Sequence, residues 1–138
     1  MKHLHIIFLF AALALWSCSK PDCEVMFIKE KDALNGVYEY GFAMNDTLAS
    51  YDISFYTMVA GKWEESIRLD VEWTSPDGKQ FDESVYFGPS DKTSGFVEAY
   101  RTGVVPVVPG DWTIKVKTGN VPKGFWGLGL MCEENGTR

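Results

Sequence analysis

From residue 24 onward, apolar and polar residues alternate with a period of two, the pattern of strands with one dry and one wet face. The clearest stretch is Ile67-Arg68-Leu69-Asp70-Val71-Glu72-Trp73, where every second residue is apolar. Ser75-Pro76-Asp77-Gly78 follows, with proline and glycine placed as a tight turn prefers them. Phe81, Glu83, Val85 and Phe87 then alternate against Asp82, Ser84 and Tyr86, so residues 67–87 read as a β-hairpin. Further strands are predicted over 24–29, 37–44, 51–59, 96–101, 112–117 and 126–132, with Asn45-Asp46-Thr47 turning between the second and third. Trp73, Trp112 and Trp126 share parity with the apolar faces of their strands and are expected in the core. Residues 104–108 are apolar but contain Pro106, which cannot donate a ladder hydrogen bond, so an edge or an irregular bend is expected there. No window of twelve residues has helical periodicity. The pattern predicts an all-β chain: one antiparallel β-sandwich of about seven to eight strands over residues 24–138.

The first residues break this pattern. Met1-Lys2-His3-Leu4-His5 leads into an uninterrupted apolar run, Ile6 to Leu15. A helix needs about 20 apolar residues to span a bilayer, whereas this length suits the apolar region of a secretory signal peptide. The run ends at Leu15-Trp16-Ser17-Cys18, which resembles the bacterial lipobox, with an apolar residue three places before a cysteine and a small residue just before it. That resemblance implies that residues 1–17 are removed and that the thiol of Cys18 carries a diacylglycerol. Residues 18–23 then form the lipidated cysteine and a short tether. A membrane partner reached through the lipid anchor is expected, in the outer membrane of a bacterial envelope, on its periplasmic or its surface face.

Removal of residues 1–17 changes the chemistry left in the chain. The remaining 121 residues suffice for one domain. They contain no histidine and carry 12 basic against 19 acidic residues, a net charge of −7. Nucleic acid and anionic headgroups call for a basic face, so neither is an expected partner, and attachment falls to the acyl chains. Without histidine, Ser-His-Asp and Cys-His catalysis and histidine-ligated metal sites are excluded. The paired acids Glu64-Glu65, Asp82-Glu83 and Glu133-Glu134 are neighbours in sequence; on a strand, neighbours point to opposite faces and form no dyad. No catalytic residue, cofactor or metal is expected. Cys23 and Cys132 remain as an even pair in an oxidising compartment, and a disulfide between them is expected. Closing so long a loop is worth about 4–5 kcal/mol in the chain-entropy description.

Aromatic side chains are the remaining candidates for binding. Trp63 lies between two predicted strands in Gly61-Lys62-Trp63-Glu64-Glu65. With Tyr56 and Met58 on the polar side of the preceding strand, it can form a patch for stacking on sugar rings, or fold back over the sandwich edge. Asp46-Thr47-Leu48 resembles the acceptor for O-glycosylation of exported proteins in Bacteroidetes, with Thr47 as the modified residue.

Several segments, taken in order, resemble the gliding-motility lipoprotein H family of Bacteroidetes. They are Tyr51-Asp52-Ile53, Thr74-Ser75-Pro76-Asp77-Gly78-Lys79, Asp82-Glu83-Ser84-Val85-Tyr86 and Pro109-Gly110-Asp111-Trp112-Thr113-Ile114, followed by Val121-Pro122-Lys123-Gly124-Phe125-Trp126-Gly127-Leu128-Gly129-Leu130. Residues 88–108 depart from it, lacking the usual stretch marked by glycine and tryptophan. The resemblance implies a small β-sandwich lipoprotein without catalytic residues that works in an envelope assembly. The expectation is a non-enzymatic module that binds other envelope proteins; the alternative is a surface lipoprotein that binds glycans.

Overall fold

The structure, a computed structural model, describes residues 23–61, 63–88 and 96–137. Eight strands follow one another: β1 (Cys23–Lys29), β2 (Val37–Met44), β3 (Ala49–Val59), β4 (Ile67–Thr74), β5 (Gln80–Phe87), β6 (Phe96–Val104), β7 (Gly110–Thr118) and β8 (Phe125–Thr137). One short 3-10 turn, Glu30–Asp32, interrupts the connection after β1. The strands form two four-stranded sheets, in the orders β1-β8-β3-β6 and β2-β7-β4-β5. Every pairing is antiparallel. Eight strands interleaved in this way between two sheets make a jelly roll.

Period-two patterning explains which side chains fill the space between the sheets. β4 alternates perfectly, with Ile67, Leu69, Val71 and Trp73 buried. From the facing sheet come Ile53, Phe55, Leu128 and Leu130, and β7 adds Ile114 and Val116. One buried hydrogen bond pins the two layers together and a second closes the inner face of one of them. Tyr40 Oη donates to the Leu128 carbonyl at 2.5 Å, and Thr57 Oγ1 donates to the Gly127 carbonyl, also at 2.5 Å, within its own sheet's inner layer. Among the described residues, no buried side-chain nitrogen or oxygen lacks a partner.

The hairpin over residues 67–87 forms in the expected register, with Ile67 opposite Phe87 and Trp73 opposite Phe81. Its turn is closed by Gly78 N donating to Ser75 O at 3.0 Å, and Gly78 takes φ +85°, which glycine adopts without strain. By contrast, β2 and β3 are not a hairpin; the turn between them carries the chain from one sheet to the other. Residues 105–109 form no strand, as Pro106 required.

Trp126 corrects the sequence reading. Val59 pairs with Phe125 while Thr57 pairs with Leu128, so β8 carries one extra residue between them. This bulge breaks the parity, and Trp126 is 57% exposed.

Candidate functional site

The two sheets present bare edges to each other along β5 and β6, and the gap there must be closed by side chains. Glu83 does this. Its register opposite Val71 turns it toward the interior, unlike its neighbours Asp82 and Ser84. From β6, Tyr100 Oη donates to Glu83 Oε1 and Arg101 pairs with Glu83 Oε2. Trp73 Nε1 donates to Tyr100 Oη at 2.9 Å, which links the network to the core of the opposite sheet. The Arg101 guanidinium also lies 5.3 Å from the Tyr100 ring centre. Burial, and then the Glu83 carboxylate, push the Tyr100 hydroxyl above the ordinary tyrosine value. Glu83 is thus held by two donors and is not a free acid.

Beside this polar wall lies an apolar groove of about 370 Å³. Trp73 and Trp112 form its floor, edge to face with ring centres 6.0 Å apart. Phe81 stacks on Trp73 at 5.8 Å but belongs to an edge strand, so 51% of its surface stays exposed. The far wall is the β6–β7 connection, Val105-Pro106-Val107, held by Trp112 Nε1 donating to the Val108 carbonyl at 3.0 Å. Pro106 is buried, while Val107 is 91% exposed. Asp82, Glu83 and Arg101 stand at the rim. An aromatic floor, a proline-containing wall and charges only at the rim suit the insertion of an apolar side chain. Among the described residues, no group of three acids, cysteines or histidines could hold a metal.

The residues expected to bind are elsewhere. Trp63 is 6% exposed and fills the opposite end of the sandwich, with its ring centre 5.4 Å from Phe87 and 5.3 Å from Phe96. Its Nε1 donates to the Glu65 carbonyl at 2.6 Å. Its backing is Gly88, where a Cβ would lie 2.1 Å from the indole. Tyr56 faces the outer side of its sheet, over Gly129, with its ring 5.6 Å from Phe27. Trp63 and Tyr56 therefore form no common patch; the loop tryptophan folds inward because the interior offers it apolar rings. Thr47 is exposed in the β2–β3 connection, where Asp46 Oδ1 accepts from Leu48 N at 2.8 Å. Cys18 lies outside the described residues.

The expected disulfide is not formed. Cys23 pairs with Glu133 and Cys132 with Glu24, so the two cysteines are offset by one position and point to opposite faces. Side chains that point apart cannot be bridged without moving the backbone. Cys132 is buried, and burial first, then nearby carboxylates, push its thiol up to about 12.

The groove escaped sequence reasoning because Phe81 and Trp112 look like ordinary alternating strand residues. Only the pairing of β4 with both β5 and β7 brings them together. The one local signal is the pair of valines flanking Pro106, where an apolar run coincides with a residue that breaks a strand.

No protein-family model and no curated protein matches the chain. Among solved structures it is similar to the infectious bursal disease virus VP2 subviral particle, with a TM-score of 0.37 and 12% identity over 81% of this chain and 32% of that one. It is also similar to the structure of the infectious bursal disease virus Gx strain, at 0.34 and 13%, over 86% of this chain and 35% of that one. The chain spans about a third of the length of each. The fold itself rests on the strand pairing described above.

Proposed function

We propose that this chain is a non-enzymatic envelope lipoprotein, anchored through Cys18, whose sandwich docks a partner protein at the groove beside Phe81. The observation that carries this reading is half-exposed Phe81 over a buried tryptophan floor, beside an exposed valine wall, with Glu83 and Arg101 at the rim. A half-exposed phenylalanine stacked on a buried tryptophan is a pre-ordered contact surface, and anchors of this kind supply most of the energy of protein interfaces. The rim charges give register to a partner whose own charges alternate around an apolar anchor. An assembly related to gliding motility is the setting that the sequence resemblance suggests. The glycan alternative has less support, because Trp63, on which it chiefly rested, is buried.

The test is a photo-crosslinking residue at Val107 in growing cells. A discrete adduct with one envelope protein is expected, reduced at least ten-fold by Phe81→Ser. Crosslinking that yields no discrete adduct, or one indifferent to Phe81→Ser, counts against docking at the groove. Intact mass of the purified protein checks the anchor independently, since Cys18→Ser must remove the acyl mass.

A further inference from the structure

The two outer faces of the sandwich differ sharply in chemistry. On the β2-β7-β4-β5 sheet, the central rows read Glu39-Lys115-Glu72-Asp82 and Val37-Lys117-Asp70-Ser84 across the strands. Arg68 and Asp70 add an ion pair at 3.1 Å on the same face. That face is built for water. On the β1-β8-β3-β6 sheet, the corresponding rows read Val25-Met131-Ser54-Ala99 and Phe27-Gly129-Tyr56-Val97. Neither row contains a charge; the outward positions that flank them are Lys29 at one end and Glu133 with Asp52 at the other. Val25 and Val97, at opposite edges of the sheet, are each 58% exposed, and Met58 beside Tyr56 is 45% exposed. The Phe27 and Tyr56 rings lie together over Gly129, whose missing side chain lets Tyr56 settle onto the sheet.

The place where the chain enters this sheet indicates what covers it. Cys23, the first residue of β1, shares the outward parity of Val25 and Phe27 and is exposed. It stands five positions after Cys18, so on the lipoprotein reading the acylated residue lies within about 17 Å of this face. A lipid bilayer is therefore always in reach of the uncharged rows. Tyrosine and its neighbours suit the headgroup layer, where an apolar ring body meets a wet hydroxyl. The tether end of the sandwich also shows exposed Leu48 and Val107, but they stand among Asp46, Asp77, Asp111 and Glu134. An end-on approach would bring those four carboxylates against the headgroups, whereas the flat approach brings two, Glu133 and Asp52, at the margin of the uncharged rows.

We infer that the two uncharged central rows on the outer face of the β1-β8-β3-β6 sheet, centred on Phe27, Tyr56 and Met131, lie against the membrane that holds the lipid anchor. This rests on the proposed acylation of Cys18. In this attitude β1 lies beside the anchor and β6 three strands away, about 14 Å across the sheet. The groove at the β5–β6 side then stays open to a partner.

The test is hydroxyl-radical footprinting of the mature protein, purified from membranes and reconstituted into phosphatidylethanolamine–phosphatidylglycerol vesicles, against the Cys18→Ser protein in buffer. Oxidation of Met58 and Met131 is expected to fall at least five-fold on vesicles, with Tyr86 and Phe81 changed less than two-fold. Val25→Lys with Val97→Lys, at exposed positions that leave acylation intact, is expected to restore oxidation. Acylated protein whose Met58 and Met131 stay fully reactive overturns the inference while leaving the anchor standing. A mature mass without acyl chains overturns both. Protection of Leu48 and Val107 in place of the methionines means end-on attachment and overturns it. So does protection found in native envelopes but not in vesicles, which would mark the face as a protein contact.

Discussion

At the scale of single residues, the sharpest constraint sits at Gly88. It takes φ +77° and its Cα abuts the Trp63 indole, where a Cβ would lie 2.1 Å from ring carbon. Gly88→Ala must either push the indole from its place between Phe87 and Phe96 or shift the strand end. Overpacking and left-handed strain together should cost about 2–4 kcal/mol. Gly41→Ala is the control, since it meets nothing within 4 Å. Urea midpoints of the two variants check this; equal midpoints would mean that Trp63 is not seated as described. Tyr40 and Tyr100 carry a second residue-scale prediction. Burial holds both hydroxyls above the ordinary value of about 10. The folded state therefore keeps these protons where the unfolded chain releases them. Their contribution is whole below about pH 10 and is lost as pH rises toward the folded values. Urea midpoints should hold from pH 8 to about 10 and fall above it, and Tyr40→Phe with Tyr100→Phe should flatten that fall. In neutral solution Tyr100→Phe alone should cost about 1–2 kcal/mol, because it strips a partner from both Trp73 Nε1 and Glu83.

At the scale of elements, strand positions were legible and strand partners were not. Every predicted strand exists, and β4 and β5 pair as the hairpin their alternation and turn demand. Hairpin pairing is local, so turn chemistry encodes it. The partnership of β1 with β8 joins residues about a hundred positions apart, and no local pattern specifies it. Parity misled at Trp126 because a bulge adds a residue that alternation cannot count. The same non-local logic hid the groove and separated Cys23 from Cys132. Since those cysteines sit on opposite faces of a paired ladder, they should behave as unlike thiols. In the Cys18→Ser protein, one thiol, exposed Cys23, should react quickly with a thiol reagent. Cys132, buried with its thiol pushed up to about 12, should react only on unfolding. Reductant should leave the melting temperature unchanged. Two protected thiols that a reductant releases would show the bridge instead.

At the scale of the whole molecule, the jelly roll places β8 between β1 and β3, with both its ladders satisfied. β1 is the cover of that ladder as well as the strand nearest the tether. A chain beginning at Glu30 would leave the outer edge of β8 open from Gly127 to Glu133, a run that includes Leu128, Leu130 and Met131. Partly apolar edges with free backbone donors and acceptors recruit other strands. The buried side chains of β8 would remain sandwiched, because Leu128 and Leu130 point inward against the other sheet. The expected outcome is therefore a folded domain that self-associates, not an unfolded one. Circular dichroism should retain the strand signal while size-exclusion chromatography shows dimers and larger species. Adding a synthetic Cys23–Lys29 peptide should return it toward monomer by refilling the edge. A monomer without the peptide would mean that β8 tolerates an open edge, and that β1 serves the tether alone.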